Sequence, residues 1–319
     1  MNPTSPPKTE TKTPGLPQEQ LVAEVEAGIR DTVRQRDLPR DLADAVLYAA
    51  LGPGKRVRPT LVVRSYEAVA GPSGHKPLSA LSEAEGLLPA AAAIEMVHAF
   101  SLVHDDLPAM DDDDLRRGRP TLHKHTNEAM AILAGDTLLA LSVEVIATGV
   151  ADAALSGRLI RALTVGTNDM IAGQVYDTFP DRDDHLPTID RLSRVHRHKT
   201  GALLRAAARM GGHVAGANAE QLQALTDYAD AIGLMFQVVD DVLDVTSDAA
   251  VMGKATQKDA AAGKLTYPGL MGLDGARAEV QRLREAAHAA LDPLGEDSAD
   301  SGPIATLKQF ADDLAVRRK

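Results

Sequence analysis

An aspartate-rich segment follows an apolar helical pattern in the first third of the chain. It comprises Asp105 and Asp106 and then the acidic run 111–114. Pro108 lies between the two groups, and we expect it to end the helix because proline cannot continue the backbone hydrogen bonds. The chain would then turn Asp111 back toward Asp105. An isolated acidic run is more often a solvated surface than a site, and we interpret Asp112, Asp113 and Asp114 in that way.

A second acidic cluster lies inside the clearest helical pattern of the chain, which covers residues 219–246. Apolar residues recur there at spacings of three and four and define one apolar stripe. Beside it lies a polar stripe at positions i, i+3, i+4 and i+7, which share one helix face: Gln237, Asp240, Asp241 and Asp244. Asp is a poor helix former, and like charges at this spacing repel. A stripe that breaks these local rules indicates function rather than a solvated surface.

The two clusters share a donor chemistry that favours a hard divalent ion. Carboxylates carried by apolar helices require counter-charge when they are buried. The donors are oxygen atoms without a His or Cys ligand beside them, which favours Mg²⁺ over Ca²⁺. The loop of an EF-hand is absent, because its Gly and its terminal Glu are missing. The sequence therefore predicts a magnesium site formed by two distant segments.

Basic residues accompany the acidic clusters and are suited to binding phosphate. The segment Gly54-Lys55-Arg56-Val57-Arg58-Pro59 opens a helix, where unpaired backbone N–H groups and two cations three residues apart could bind a phosphate group. It is not a nucleotide-binding P-loop, because the spacing of that motif is absent. Further cations near the clusters are Arg116, Arg117, Lys199, Lys254 and Lys264. Each alone is more often a surface residue, whereas together they are suited to a highly charged diphosphate.

Helices are predicted to position these residues almost throughout the chain. Apolar residues make up 44% of the sequence and aromatic residues 3%, so Ala, Leu and Val must fill the interior, which suits close helix packing. The periodicity predicts helices at about 19–36, 39–50, 56–70, 87–106, 127–149, 156–177, 188–211, 219–246, 275–291 and 303–317. Breaks are predicted at 52–54, 71–72, 117–120, Pro180 with the Asp-rich residues after it, and 291–303.

The same pattern gives the fold class and the domain division. The segment His198-Lys199-Thr200-Gly201 interrupts a helical stretch, where Gly can loosen the turn and free backbone carbonyls. Residues 1–18 contain many Pro and almost no apolar side chains, so burial cannot offset the entropy of ordering them. We predict an all-α fold with a disordered tail at 1–18 and one helical domain at 19–319.

The bulk properties exclude several classes of function. The net charge of −11 argues against a nucleic-acid partner, because phosphate backbones require clustered Lys and Arg. The absence of Cys excludes disulfides, thiolate metal sites and a cysteine nucleophile, and agrees with a cytoplasmic location. No uninterrupted apolar run is long enough to span a bilayer, and the N-terminal residues lack the apolar region of a secretory signal.

Five segments in order resemble the motifs of one enzyme family. They are GKRVRP, SLVHDDLPAMDDDDLRRGRPTLH, HKTGALL, MFQVVDDVLD and GKLTYPGL, and the similarity runs from about Leu42 to Leu291. The chain resembles the trans-prenyl diphosphate synthases, in particular the bacterial farnesyl and geranylgeranyl type. An isolated DDxxD motif is shared with terpene cyclases, whereas the five motifs together are specific. The resemblance implies a single bundle of ten or more helices around a central cavity, and a homodimer.

The resemblance also implies a set of metal-binding residues. Three Mg²⁺ ions would bind in each active site, two of them at Asp105 and Asp111 and the third at Asp240. Supporting carboxylates would be Asp106, Asp241 and Asp244. Gln174 and Asp177, in the segment GQVYD, resemble a further element near the metals.

The resemblance assigns the substrates and the residues that bind them. An allylic diphosphate (dimethylallyl or geranyl) would contact the metals together with Arg116, Lys199 and Lys254. Isopentenyl diphosphate would be held by Lys55, Arg58, His98 and Arg117, and Lys264 would also bind substrate. Thr200, the carbonyl of Lys199 and the side chain of Gln237 would face the developing cation. Taken alone, a helical His is more often structural and Gln237 could fill a packing gap, but His98 lies seven residues before Asp105 on the same helix face.

The reaction implied by the resemblance is ionisation, condensation and elimination. The magnesium ions would neutralise the leaving diphosphate, an apolar pocket would protect the allylic cation from water, and the alkene of isopentenyl diphosphate would attack it. No general base is evident among the residues, and the resemblance implies that the departing pyrophosphate takes the proton.

Phe100 is predicted to limit the length of the product. It lies five residues before Asp105, and Ser101 lies four before, about one helical turn deeper into the expected pocket. A bulky ring at that place would form a floor and favour C15 farnesyl diphosphate, as in the bacterial farnesyl synthases that the chain resembles. Ala or Met there would indicate the C20 geranylgeranyl product, which stays the alternative because packing explains a Phe on this helix equally well.

Three other interpretations of the clusters remain open. A class I terpene cyclase shares the helical fold but has no need of a second diphosphate site, which the Gly-Lys-Arg segment and His98 indicate. A non-catalytic partner subunit usually lacks one aspartate cluster, whereas both are complete here. A structural helical bundle with acidic surfaces leaves the stripe around Asp240 unexplained.

Overall fold

The computed structural model describes residues 15–71, 78–179, 186–251, 265–295 and 302–317, with only the backbone of 247–251. Its α-helices are α1 (Gln18–Arg34), α2 (Arg40–Ala50), α3 (Val57–Ala70), α4 (Leu87–Asp105), α5 (Leu122–His125), α6 (Glu128–Gly149), α7 (Ala153–Thr178), α8 (Thr188–His196), α9 (Ala202–Val214), α10 (Ala219–Val251), α11 (Tyr267–Ala290) and α12 (Pro303–Val316). Short 3-10 turns lie at Leu81–Glu83 and Asp292–Leu294. The fold is all-α, as predicted.

The helices α3 and α4 are buried over most of their length and form the middle of the structure. Helix α4 packs against α3 and α6, α3 packs against α9, and α10 packs against α9 and α11. Their interfaces consist largely of Ala, Val and Leu, which allow helix axes to approach closely. Helices α3, α4 and α10, which carry several of the predicted site residues, are therefore close to one another, with α9 packed against α3 and α10.

The predicted helix 188–211 is divided into α8 and α9. A π-helical turn at Arg197–Gly201 separates the two helices, at the residues where the sequence predicts an interruption. Such turns shift the backbone hydrogen bonds out of the usual pattern and occur frequently at functional sites.

The predicted helix 275–291 begins earlier than expected, at Tyr267, and is broken at Gly272, which has a φ of 74°. Thr266 caps its start, because its hydroxyl accepts a hydrogen bond from the Gly269 N–H at 3.2 Å. Pro268 lies in the first turn, where its missing N–H is tolerated. Pro and Gly in this segment predict a break when they are taken alone, and the cap explains why a helix forms there.

A two-stranded antiparallel hairpin follows the first aspartate cluster, where the sequence predicts only a break. Its strands are β1 (Leu115–Arg116) and β2 (Arg119–Pro120). Arg117 and Gly118 connect them with φ values of 51° and 76°, the combination that defines a type I′ turn. Strands of two residues carry no detectable alternation, which explains why the periodicity did not predict them.

Residues 15–18 do not belong to a disordered tail, in contrast to the prediction for 1–18. Leu16 is 1% exposed. Its N–H donates to Glu67 Oε1 at 3.0 Å, and its carbonyl accepts from Arg64 Nη2 at 2.7 Å. A buried leucine with both backbone groups paired anchors this segment. Residues 1–14 lie outside the described residues, and the tail and the single-domain division stay predictions.

Among the described residues, two helices are long and apolar enough to cross a bilayer, which the sequence analysis did not predict. They are α4 and α6, and 67% and 39% of their apolar windows are buried within the protein. A core helix meets the same criterion of length and composition, and α4 is such a helix. These two properties alone therefore do not indicate a membrane span.

Candidate active site

The first aspartate cluster lies where α4 ends. The chain turns after Asp105 as predicted, and the Asp111 N–H donates to the Asp105 carbonyl oxygen at 2.8 Å. Asp106 is 3% exposed, and Arg116 Nε donates to its two carboxylate oxygens at 2.7 and 2.9 Å. Residues 111–114 are exposed, which agrees with a solvated surface for Asp112, Asp113 and Asp114. The hairpin therefore places Arg116 beside the acidic C-terminal end of α4.

Burial and neighbouring acids raise the pKa of Asp105 to about 6. The positive charge of Lys199 acts in the opposite direction, and the carboxylates of Asp111 and Asp106 raise the pKa further. Burial also raises the pKa of Asp106, against the hydrogen bond and charge of Arg116. The C-terminal end of α4 therefore carries neighbouring carboxyl groups in a place where burial disfavours their ionised form.

The second cluster lies inside α10, and its members have different partners. Asp240 is ion-paired with Arg317 from the chain's C-terminal end. Asp241 Oδ2 accepts the Tyr267 N–H at 2.9 Å and lies 3.9 Å from His196 Nε2. Asp241 therefore anchors the start of α11, where a carboxylate is favoured by the helix dipole. Asp244 is exposed.

A magnesium ion fits the donor chemistry of these clusters. Within the ranges that the structure covers, no group of three or more His, Cys, Asp and Glu is close enough to hold a metal ion. The carboxylates are instead compensated by cations, Asp106 by Arg116 and Asp240 by Arg317. The donors are all oxygen atoms, and burial, together with the neighbouring carboxylates, raises the pKa of Asp105, a cost that a divalent cation would offset. The number of bound ions stays a prediction.

A cavity of about 430 Å³ collects the predicted phosphate-binding residues. Lys55, Arg58, His98 and Arg117 line it together with Thr200. Burial, and then the charges of Arg58 and Arg117, hold the pKa of His98 well below its usual range. Burial likewise lowers the pKa of Arg58 to about 10. The cavity therefore offers guanidinium groups and a neutral imidazole, while Lys254 and Lys264 lie outside the described residues.

Each aspartate cluster lies close to this cavity along its helix. His98 of α4 lines the cavity and precedes Asp105 by seven residues, which is about 10 Å along a helix. Phe236 of α10 also lines it and precedes Asp240 by four residues, about 6 Å. Gln237 follows Phe236 and is half-buried. The two acidic clusters and the basic segment thus border one region of the molecule.

The π-helical turn between α8 and α9 is held by glycines on two neighbouring helices. A Cβ atom at Gly173 of α7 would lie 2.1 Å from the Lys199 nitrogen, and one at Gly233 of α10 would lie 2.9 Å from the Gly201 Cα. Such contacts are too short for any side chain. The two helices can therefore approach the turn only because these positions lack a Cβ.

Side chains of α7 also meet this turn. Lys199 Nζ donates to Asp177 Oδ2 at 2.6 Å, so the lysine is held by the segment that the sequence analysis singled out. Gln174 Oε1 is buried and has no hydrogen-bond partner among the described residues. A buried unpaired oxygen is unusual and is consistent with a position that a ligand completes.

Phe100 and Ser101 do not line the cationic cavity. Phe100 is 8% exposed and contacts the ring of His104 edge-on, with the centroids 5.1 Å apart. His104 packs against Gly135 of α6, where a Cβ would lie 2.1 Å from its Nε2. Ser101 Oγ donates to the carbonyl of His98 at 2.9 Å. The ring of Phe100 thus packs on His104, which in turn contacts α6.

Two residues that line the cavity, Glu95 and Arg317, were not predicted from the sequence. Glu95 is 4% exposed and lines the cavity one turn before His98; its spacing of three residues from His98 was the available signal. Arg317 also lines the cavity and lies with its guanidinium 3.7 Å from the centroid of Phe236. No local pattern marks Arg317, because its contacts with α10 are formed only in the folded chain.

Comparison with known proteins identifies the family. Residues 39–294 match the family described as polyprenyl synthetase. The chain belongs to this family. Two relatives from Arabidopsis thaliana, putative geranylgeranyl pyrophosphate synthase 8 and geranylgeranyl pyrophosphate synthase 11, both chloroplastic, are 44% identical over 278 and 280 residues, covering 85% of this chain and 73% and 74% of theirs. The crystal structure of an FPP/GFPP synthase from Zymomonas mobilis matches with a TM-score of 0.76 and 32% identity, over 94% of this chain and 97% of that one.

The family assignment confirms the resemblance found in the sequence. The chain is an enzyme, a prenyltransferase that makes prenyl diphosphates. The relatives favour the alternative C20 product over the C15 product predicted from Phe100, because the two at 44% identity are named as geranylgeranyl pyrophosphate synthases. Their names place them in chloroplasts, so the cytoplasmic location stays a prediction. Arg317 lies outside the matched range 39–294.

Proposed function

We propose that this prenyl diphosphate synthase condenses isopentenyl diphosphate with allylic diphosphates to give geranylgeranyl diphosphate. The observation that carries the proposal is the cationic cavity bordered by two aspartate clusters. Lys55, Arg58 and Arg117 provide it with positive charge, and the acidic ends of the site lie one to two helical turns away. A condensing enzyme needs two such diphosphate-binding environments, and a cyclase needs only one.

Isopentenyl diphosphate binds at the basic side of the cavity. Lys55 and Arg58 lie three residues apart at the start of α3, where backbone N–H groups are also available to an anion. Arg117 reaches the same place from the hairpin, where its Nη1 donates to the Pro53 carbonyl at 2.6 Å. His98 is neutral, since its pKa lies well below the usual range because of burial and the surrounding arginines. It therefore provides a hydrogen bond rather than a charge.

The allylic diphosphate binds at the acidic side of the cavity, where Arg116 and Lys199 contact it. Asp105, Asp111 and Asp240 would hold Mg²⁺, which would supply positive charge to stabilise the leaving diphosphate. Asp106 fixes Arg116, and Asp241 fixes the start of α11. Asp106 and Asp241 thereby orient a substrate-binding arginine and the first turn of α11, respectively.

The groups around the π-helical turn face the reacting carbon atoms. The allylic C–O bond breaks with its electron pair on the diphosphate, and the alkene of isopentenyl diphosphate supplies the pair for the new C–C bond. Thr200, the Lys199 carbonyl and Gln237 stabilise the transient positive charge as oriented dipoles. Leu204 and Phe236 line the cavity beside Thr200 and help to exclude water. The pyrophosphate then accepts the proton that restores the double bond.

A C15 product is the second candidate, and Phe100 favours it. A phenyl ring one turn from Asp105 shortens the space that a growing chain can occupy. Against it, Phe100 packs on His104 at the α6 side of α4, and the relatives at 44% identity are named for the C20 product.

One assay tests both the condensation activity and the length of the product. Purified protein is incubated with isopentenyl diphosphate and dimethylallyl, geranyl or farnesyl diphosphate, with and without Mg²⁺. We expect Mg²⁺-dependent condensation, use of farnesyl diphosphate as a starter, and a C20 end product by chromatography. A C15 end product that Phe100→Ala lengthens would replace the C20 proposal with the C15 candidate. Conversion of one allylic diphosphate to a hydrocarbon without condensation would indicate a cyclase and overturn the proposal.

A homodimer is part of the proposal. Exposed apolar side chains lie on the neighbouring helices α6 and α7: Ile132 (45% exposed), Leu133 (54%), Val165 (51%) and Ile171 (43%). A second copy of the chain covering them would remove apolar surface from water. Light scattering should give twice the chain mass, and a monomer at micromolar concentration would contradict the assembly without affecting the reaction.

A further inference from the structure

The segment that presents Lys55 and Arg58 contains a third basic residue with a different environment. Arg56 lies between them in sequence, but its side chain is only 3% exposed, whereas Lys55 is exposed. Arg56 is therefore not a surface cation, and its guanidinium is engaged inside the protein.

The guanidinium of Arg56 joins three separate parts of the fold. Its Nη1 donates to Glu95 Oε1 of α4 at 3.0 Å. Its Nη2 and Nε donate to Glu26 Oε1 of α1 at 2.8 and 3.2 Å. Nη2 also donates to the Gly52 carbonyl at 2.9 Å, within the connection that precedes α3. This set of contacts ties the connection to two helices.

The backbone at Arg56 adopts a conformation that needs such support. Its φ and ψ are 49° and 42°, in the left-handed region, which residues other than Gly rarely adopt. This left-handed residue turns the chain from the connection into α3. The first turn of α3 is closed by the Thr60 N–H, which donates to the Arg56 carbonyl at 3.0 Å. Lys55 and Arg58 thus lie on either side of Arg56 in sequence, and the side-chain contacts of Arg56 fix the backbone between them.

Glu95 also contributes to the charge balance of the cavity. It is 4% exposed and lines the cavity with Arg58 and Arg117. Its negative charge favours the protonated form of both arginines, against the effect of burial on their pKa. The carboxylate that binds Arg56 therefore also limits the repulsion among the cations that meet the diphosphate.

We propose that Arg56, held by Glu26 and Glu95, is a positioning residue that keeps residues 52–58 in the conformation that binds the diphosphate of the homoallylic substrate. The inference rests on the proposed function, because it assigns that diphosphate to Lys55, Arg58 and Arg117. Arg56 also lines the cavity, but its guanidinium donates to Glu26, Glu95 and the Gly52 carbonyl, so it acts through the residues beside it. Its contribution is preorganisation, so its loss should weaken diphosphate binding more than it slows the chemical step.

The test compares Arg56→Gln with a matched control, Arg64→Gln. Arg64 lies on α3, the helix that follows Arg56, and is also buried (8% exposed). It donates to Glu67 Oε2 at 2.7 Å and to the Leu16 carbonyl at 2.7 Å. Arg64 does not line the cavity. Both substitutions remove a buried ion pair, and only one affects residues 52–58, so a general loss of stability changes both variants alike.

Two measurements are made on the full chain. Calorimetric binding of inorganic pyrophosphate without divalent metal should be about tenfold weaker in Arg56→Gln and unchanged in Arg64→Gln. In steady state, the KM for isopentenyl diphosphate should rise about tenfold in Arg56→Gln, while kcat and the KM for the allylic substrate change less than about twofold. Arg56→Lys, which keeps the charge, should recover part of the affinity.

A second variant covers the case that Arg56→Gln does not fold. Glu26→Gln removes a partner whose side chain is 28% exposed, so its substitution is better tolerated, and it should weaken pyrophosphate binding in the same direction by a smaller factor. Wild-type affinity in a folded Arg56→Gln or Glu26→Gln protein overturns the inference, and so does an equal loss in Arg64→Gln. Absence of condensation by the wild-type enzyme would overturn the proposed function, while the pyrophosphate comparison would still decide the role of Arg56.

Discussion

The first aspartate cluster lies at the end of α4, beside an exposed loop, whereas the second lies within the long helix α10. In both, two adjacent aspartates have different surroundings. Asp106 is bound by Arg116 through both carboxylate oxygens, and Asp241 accepts the first N–H of α11. Of the other two members, burial and nearby charges raise the pKa of Asp105, and Asp240 is ion-paired with Arg317, which lines the cavity.

The difference between the clusters is in how their charge is compensated. At the first cluster, burial and acidic neighbours raise the pKa of Asp105 to about 6. Ionising this carboxyl group is therefore less favourable in the folded protein than in water. At the second cluster, Arg317 from the end of the chain neutralises Asp240. The two clusters therefore differ in how the protein treats their charge: the pKa of Asp105 is raised, whereas Asp240 is paired with an arginine from a distant part of the chain.

The largest expected effect comes from the first cluster. Asp105→Asn keeps the size of the side chain but removes the ionised oxygen donor, so condensation should fall on the order of 10³-fold while the fold is retained. Turnover under saturating substrate and far-UV circular dichroism measure the two properties. Asp112→Asn, at an exposed acid of the same run, is the control and should stay near wild type. Normal turnover in Asp105→Asn would refute the metal assignment.

The π-helical turn between the clusters provides a second test. Gly173→Ala would place a Cβ 2.1 Å from the Lys199 nitrogen and displace the turn, so kcat should fall about 10²-fold. Gly157→Ala, on the same helix with nothing near its Cβ, should leave kcat unchanged and raise the melting temperature slightly. Equal activity of the two variants would show that the position of the turn is unimportant.

A pH series examines the charge state of the first cluster. Metal binding requires the carboxylate form, and burial raises the pKa of Asp105 to about 6. Below that pH the protonated acid predominates, so affinity for Mn²⁺ or Mg²⁺ should decrease about tenfold per pH unit and level off above it. Calorimetric titrations between pH 5 and 7.5 measure this. A flat profile in the wild-type protein would contradict the role of Asp105 as a crowded, buried ligand.

The smallest expected effect concerns the second cluster. Arg317 has to leave Asp240 before a metal can bind there, so Arg317→Gln should tighten binding of the metal ion. An ion pair with one half-exposed partner contributes up to about 1 kcal/mol, which corresponds to an increase of about fivefold in affinity. Arg284→Gln removes a different Arg–Asp pair, with Asp312 on α12, and should leave metal affinity unchanged. Weaker metal binding in Arg317→Gln would show that Arg317 supports the site rather than competing for it.

Several parts of the site follow from local patterns in the sequence. Pro108 predicts the end of α4 and the return of Asp111, and Gly201 predicts the interruption between α8 and α9. The basic segment and His98 meet in one cavity, as their types and positions suggested. The role of Phe100 could not be read in this way, because a ring on a helix packs equally well toward a pocket or toward α6.

The sequence by itself determined the helical fold, the two acidic clusters and the basic segment, because helix period, capping and donor type depend on neighbouring residues. Only the tertiary structure decided which charges meet. Arg56 and Glu95 are 39 positions apart and touch because α3 and α4 pack together, and Arg317 reaches Asp240 because α12 ends beside α10. Long-range pairs of this kind leave no periodic signal, since each partner is an ordinary charged residue until the chain folds.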